Sequence, residues 1–150
     1  MATKTYSAFL RQPRSLHAGV NAEVVEVSAT AGHTVSAGDV LKLFKLPDRA
    51  VILGGYITRS EPGGDLTLRL NIPMTGASGT ASTTVTTLLE STASGQVHIG
   101  DVNDLGTVGY QISISDAVIV KEATVEILGA SASTTGPIKV MLLWSLDART

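Results

Sequence analysis

Three histidines, His17, His33 and His98, are the first residues to test for chemistry, since imidazole serves both as a metal ligand and as a general base near neutral pH. None has a histidine or acid at the i,i+2 or i,i+4 spacing that would make a metal pair or a base with its orienting acid, so each reads as a loop or surface position. Carboxylates come next. Glu23, Glu26, Glu122 and Glu126 fall in strand-like runs, and two facing carboxyl groups are what a glycosidase requires. Glu26 and Glu126, however, each sit between β-branched apolar residues, the alternation of a solvent-facing polar group. The loop Asp101-Val102-Asn103-Asp104 has the oxygen-rich character of a calcium site but lacks the full spacing and distal glutamate of an EF-hand, and reads as an Asx-rich turn. There is no G-x-S-x-G elbow, no P-loop and no G-x-G-x-x-G, and the absence of cysteine removes disulfides, thiolate metal sites and a cysteine nucleophile. The expectation is a protein that is not an enzyme and that needs no metal or cofactor.

The elements around these residues are short β-type runs. Glu23 to Ser28 reads as an edge strand, and Ala31 to Asp39 as a turn-rich loop. Val40 to Leu46 follows as a strand with large side chains on both faces. Pro47-Asp48 predicts a tight turn joining that strand to Ala50–Arg59 as a hairpin, and Gly54-Gly55 within the second strand marks a bulge or a close approach by another backbone. A second turn signal at Glu61 to Asp65 precedes the cleanest alternation in the chain, Leu66, Leu68, Leu70 and Ile72 against Thr67, Arg69 and Asn71. Between Met74 and Gly95 half of the residues are Ser or Thr, an excursion that accommodates a short helix or a weak strand near Thr83 to Glu90. Gln96–Ile99, Val108–Ile114, Ala117–Val120, Ala123–Leu128 and Ile138–Leu146 complete the set. In the last run Ile138, Val140, Leu142, Trp144 and Leu146 share one face, which places Trp144 in the core.

About eight or nine short strands at regular spacing, without amphipathic helices to serve as crossovers, predict an all-β protein: an antiparallel β-sandwich, jelly-roll-like, with an extended N-terminal arm. Periodicity is blind to strand order, so a plain sandwich and a jelly roll both satisfy the pattern. The chain is read as an arm over residues 1–20 and a single sandwich domain over 21–150 that contains the excursion at 74–95. A length of 150 residues suits one core, with roughly 68–70% of the unfolded surface buried on folding.

Composition narrows the function classes. The net charge of −2 gives no broad electrostatic footprint for nucleic acid or an anionic membrane, and no run approaches the ~20 apolar residues of a membrane span. A soluble, cytoplasmically synthesised protein is expected. Charged residues make up only 16% of the chain, well below the usual quarter, so much of the exterior is weakly polar, as suits a protein packed against neighbours. The arm carries Lys4, Arg11 and Arg14 together with Tyr6, Phe9 and Leu10, three large apolar groups that a purely solvated tail does not need. Those six residues are candidates for partner binding, lying across a partner or adding a strand to its sheet edge. The double-faced strands hold more apolar side chains than one core face uses. Leu41 and Leu43 on one, and Met141 and Leu143 on the other, are candidates for a subunit interface, although a fully covered central strand explains the surplus equally well.

The run Ser36 to Ile57, SAGDVLKLFKLPDRAVILGGYI, resembles a recurring pattern of tailed-phage structural proteins: a turn ending in Gly-Asp, an apolar strand, a Leu-Pro turn, then an apolar strand with a turn-type pair before its end. Gly136 to Asp147, GPIKVMLLWSLD, resembles the way such proteins finish. Together the two segments cover about a quarter of the chain and are strand-and-turn motifs, not chemical signatures. The resemblance implies a bacteriophage capsid decoration, or cement, protein. Such a protein would be a homo-oligomer, commonly a trimer, that binds the major capsid protein on the virion exterior and bridges neighbouring capsomers. Two other readings fit the composition: a tail or head-fibre component, and a glycan-binding β-sandwich module.

Overall fold

The computed structural model describes residues 3–5, 20–27, 35–47, 50–60, 63–76, 79, 81–92, 94–99, 118–120, 122–129, 131 and 137–146. They form ten strands: β1 (Thr3–Thr5), β2 (Asn21–Val27), β3 (Val40–Pro47), β4 (Ala50–Arg59), β5 (Leu66–Gly76), β6 (Ala81–Ser91), β7 (Gly95–His98), β8 (Val118–Val120), β9 (Glu122–Gly129) and β10 (Ile138–Leu146). One sheet runs β1-β3-β9-β5-β6 with β8 paired to β5, and the other runs β2-β10-β4-β7. All pairings are antiparallel except β1 on β3. The predicted run Val108–Ile114 and the Asp101–Asp104 loop lie outside the described residues.

The pairing is nested. β2 pairs with β10, β3 with β9, β4 with β7 and β5 with β6, while β10 also pairs with β4 and β9 with β5. Consecutive strands therefore lie mostly in different sheets, and among the described strands only β5 and β6 are both consecutive and directly paired. This corrects the hairpin expected at Pro47-Asp48. β3 ends at Pro47 in one sheet and β4 begins at Ala50 in the other, and Leu46 and Ala50 are both buried in the shared core. β4, which ends at Arg59, is likewise followed by β5 from Leu66 in the other sheet. Arg59 anchors that corner: buried at the end of β4, its Nη1 donates to the carbonyl of Gly64. Burial draws its guanidinium below the ordinary arginine value, and the charge of Asp65 opposes that shift. Asp65 N in turn donates to Ser131 Oγ at 2.8 Å.

Both sheets contribute to one buried cluster. Leu66, Leu68, Leu70 and Ile72 of β5 face Val140, Leu142 and Trp144 of β10, with Ile52 and Ile57 of β4 and Val125 and Ile127 of β9 around them. Full burial of each such side chain contributes about 1.5–3 kcal/mol. Strict alternation cannot bury two neighbours on one strand, yet Leu43 and Phe44 are both buried, as are Leu88 and Leu89. A β-bulge solves each case. The β3–β9 register jumps between Lys42 and Phe44, and the β5–β6 register between Leu68 and Arg69, so an extra residue turns inward. β3 is thus not double-faced, and the Ser/Thr-rich excursion holds an eleven-residue strand, not a helix.

The Gly-Asp turn before β3 is built on hydrogen bonds. Asp39 N donates to Ser36 O at 3.0 Å and Ser36 N to Asp39 Oδ2 at 3.2 Å, with Gly38 at φ +83° in the position where a type II turn needs a left-handed residue. Gly38 N donates to Gly129 O at 2.8 Å and Gly129 N to Asp39 O at 3.0 Å, locking the turn to the end of β9. A Cβ on Gly129 would strike the carbonyl oxygen of Ser36.

A candidate interaction face

The expected site residues separate into three groups. Leu41 and Leu43 are core residues, covered within the single chain, which corrects their assignment to a subunit interface. Met141 and Leu143 are half-buried on the opposite side of β10 from Trp144, on the outer face of the four-stranded sheet. Of the arm, Lys4 lies on β1 opposite Leu41 of β3, so the start of the arm adds a strand to a sheet of its own chain. Tyr6, Phe9, Leu10, Arg11 and Arg14 lie outside the described residues, as do His17 and His33.

Around Met141 and Leu143 the register assembles an apolar surface. Met141 is flanked by Val24 of β2 and Tyr56 of β4, and Leu143 by Ala22 and Gly54. Val24 is 53% exposed. Between Leu143 and Trp144 the β10–β4 register jumps, leaving Leu53 unpaired. This bulge works in the opposite sense to the other two. Ile52 and Gly55 lie on the inner side, so the extra residue leaves Leu53 and Gly54 both facing out, and Leu53 is 39% exposed. Val20, 69% exposed, precedes β2 beside the same edge. Of the four exposed large apolar residues among those described, Val24 and Leu53 thus belong to this sheet and Val20 immediately precedes it.

The two glycines divide the labour that their sequence suggested. A Cβ at Gly55 would collide with the carbonyl oxygen of Met141 and crowd Leu142 Cα at 3.1 Å, so β10 passes here at a distance only glycine permits. Gly54 faces open space. The rim of the face is polar: Lys139 stands between Glu26 and Thr58, and Tyr56 meets His98 of β7 edge to face, ring centroids 5.8 Å apart at 60°. An apolar centre with a polar border is the composition of a protein-binding surface.

The outer face of the six-stranded sheet carries charge instead. Lys42, Glu126 and Arg69 stand side by side on β3, β9 and β5. Glu126 lies on the outer side of its strand but is not solvent-facing, which corrects the expectation: it is only 1% exposed and accepts a hydrogen bond from Arg69 Nε at 2.7 Å. A carboxylate so covered and paired is a structural ion pair. Sequence reasoning missed it because alternation reports which face a residue occupies and not what covers it. Among the described residues no group of three or more His, Asp or Glu side chains is placed to hold a metal ion.

Fold and face together define an all-β sandwich with an apolar surface on the outer side of its four-stranded sheet. No family model matches the chain, and no curated protein matches it in sequence. Its backbone is similar to a chain in the capsid of Ralstonia phage GP4, with a TM-score of 0.57 at 20% identity over 98% of each chain. It is also similar to a chain of the cyanophage Pam1 capsid asymmetric unit, with a TM-score of 0.50 at 19% identity over 94% of this chain and 95% of that one. At these identities the likeness establishes the fold, over nearly the whole chain.

Proposed function

We propose that this protein is a structural component of a bacteriophage virion, a jelly roll that binds the outside of an assembled capsid and stabilises it by bridging neighbouring capsomers. The nested pairing of β2 to β7, β9 and β10 supports the jelly-roll reading, since rolling up one long hairpin of eight strands gives that order. The observation that carries the function is the apolar outer face around Val24, Leu53, Met141 and Leu143. Backbone likeness to capsid chains of two phages points the same way. The major capsid protein is the proposed partner, and a homotrimer the proposed working form. Binding to the assembled shell alone stabilises that shell by mass action, repeated at every site.

The test is direct. Purified protein is added to expanded heads that lack it, and bound copies and the heat resistance of the heads are measured. Saturable binding at a fixed copy number with a raised disruption temperature is expected, and Leu143→Glu should abolish both. Heads that bind none of it, or are no more heat-resistant with it, would refute the reading. Among the described residues the rings lend the glycan-module alternative little support, because Trp144 is buried and Tyr56 and His98 stand at 60° instead of forming a flat stacking platform.

A further inference from the structure

The outer face of the four-stranded sheet is arranged in rows that cross β2, β10, β4 and β7 in that order. The central row is Val24, Met141, Tyr56 and His98, and beside it runs a polar row of Glu26, Lys139, Thr58 and Gln96. On the other side of the central row Leu143 stands next to Gly54. A Cβ at Gly54 would meet nothing within 4 Å, so the face has a notch beside the Leu143 side chain, bordered by the exposed Leu53. Both ends of the central row, Val24 and His98, are exposed.

We infer that, away from a capsid, two copies of the chain pack these faces together about a two-fold axis running along the strands between β10 and β4. That axis keeps each row level while it sets β10 against β4 and β2 against β7 of the other copy. Leu143 of each copy then enters the other's Gly54 notch, and Met141 lies against the other's Tyr56 ring, a favourable sulfur–aromatic contact. Val24 meets His98, Lys139 meets Thr58 and Glu26 meets Gln96, so no like charges face each other. Neighbouring axes lack this match. One along β10 sets Lys139 against Lys139 and Leu143 against Leu143, and one across the strands at Met141 sets Lys139 against Leu143. A two-fold contact is self-complementary and closes, so it yields a discrete pair. One sheet face is a small interface, and small interfaces are transient, so dilution or a capsid opens the pair. The inference rests on the proposed function only in naming the capsid as the competitor for this face; the pair is the head-free form and precedes the trimer proposed on the shell.

Sedimentation equilibrium of the head-free protein tests the pairing against the 15.5 kDa mass of one chain. A monomer–dimer equilibrium is expected. Val24→Lys and His98→Glu should each weaken it by about tenfold or more, because each sets a charge against a group that does not pair with it. The two substitutions together should restore it, since the new lysine of each copy faces the new glutamate of the other. Within one chain positions 24 and 98 are three strand spacings apart, about 14 Å, beyond the screening length of about 8 Å at physiological salt, so restoration reports contact between copies. Restoration also shows that both substitutions leave the fold intact. Single chains at every concentration, a trimer in place of a dimer, or a double variant no tighter than the single ones would overturn the inference. Uptake by expanded heads is measured separately. Heads that bind a protein found not to self-pair would refute the pairing and leave the capsid reading standing, whereas a dimer that no head displaces would support the pairing and refute the capsid reading.

Discussion

Outside the six-stranded sheet the central row is Lys42, Glu126 and Arg69; outside the four-stranded sheet the matching row is Val24, Met141 and Tyr56. Both rows come from alternating strands around the same core, and each is displaced from regularity by bulges. On β3 and β6 the bulges add side chains to the core, whereas on β4 the bulge adds Leu53 to the outside. The contrast separates two uses of an outer face. The charged row satisfies itself within the chain through the Arg69–Glu126 pair, while the apolar row leaves a surface that loses free energy to water until something covers it.

Four substitutions bear on this comparison. The largest effect is expected from Glu126→Ala, which leaves the Arg69 guanidinium facing a cavity. Urea unfolding should show a loss of about 2–4 kcal/mol, tempered by the partial exposure of Arg69, and Glu126→Gln should recover part of it. A loss near zero would mean that the two outer faces do not differ in the way described. Gly55→Ala comes next, at about 2–3 kcal/mol, because its Cβ meets the β10 backbone and not a yielding side chain. On the apolar face, Leu143→Glu should change stability by less than about 1 kcal/mol, since the residue is only half-buried, yet reduce the binding of an apolar fluorescent dye by the isolated protein. A loss above about 2 kcal/mol would instead place Leu143 in the core. The smallest change is expected for Gly54→Ala, within about 0.5 kcal/mol by thermal unfolding, because its Cβ enters open space one residue from the intolerant site.

Much of the architecture could be read from residue order. The alternation from Leu66 to Ile72 and the shared face of Ile138, Val140, Leu142 and Trp144 both lie in strands with the predicted side inward. Gly54-Gly55 marked a bulge or a close approach, and the backbone contains both. Leu41 and Leu43 were misassigned because apolar residues on both parities suggest two faces, whereas a bulge allows Leu43 and Phe44 to share one. The hairpin expected at Pro47-Asp48 failed for a related reason. The chemistry of Pro47-Asp48 dictates that the chain turns, not which sheet it enters afterwards.

The residues and their period determined that this chain is built of short strands, which side of most strands is apolar, and that it carries more apolar surface than one core face absorbs; these follow from local backbone geometry and side-chain type. Strand order, the sense of each bulge and the choice of Met141, Leu143 and Val24 over Leu41 and Leu43 as the exposed surplus were decided only in three dimensions. They depend on pairings between residues as distant as Val24 and Met141, and no local property of either residue encodes its partner.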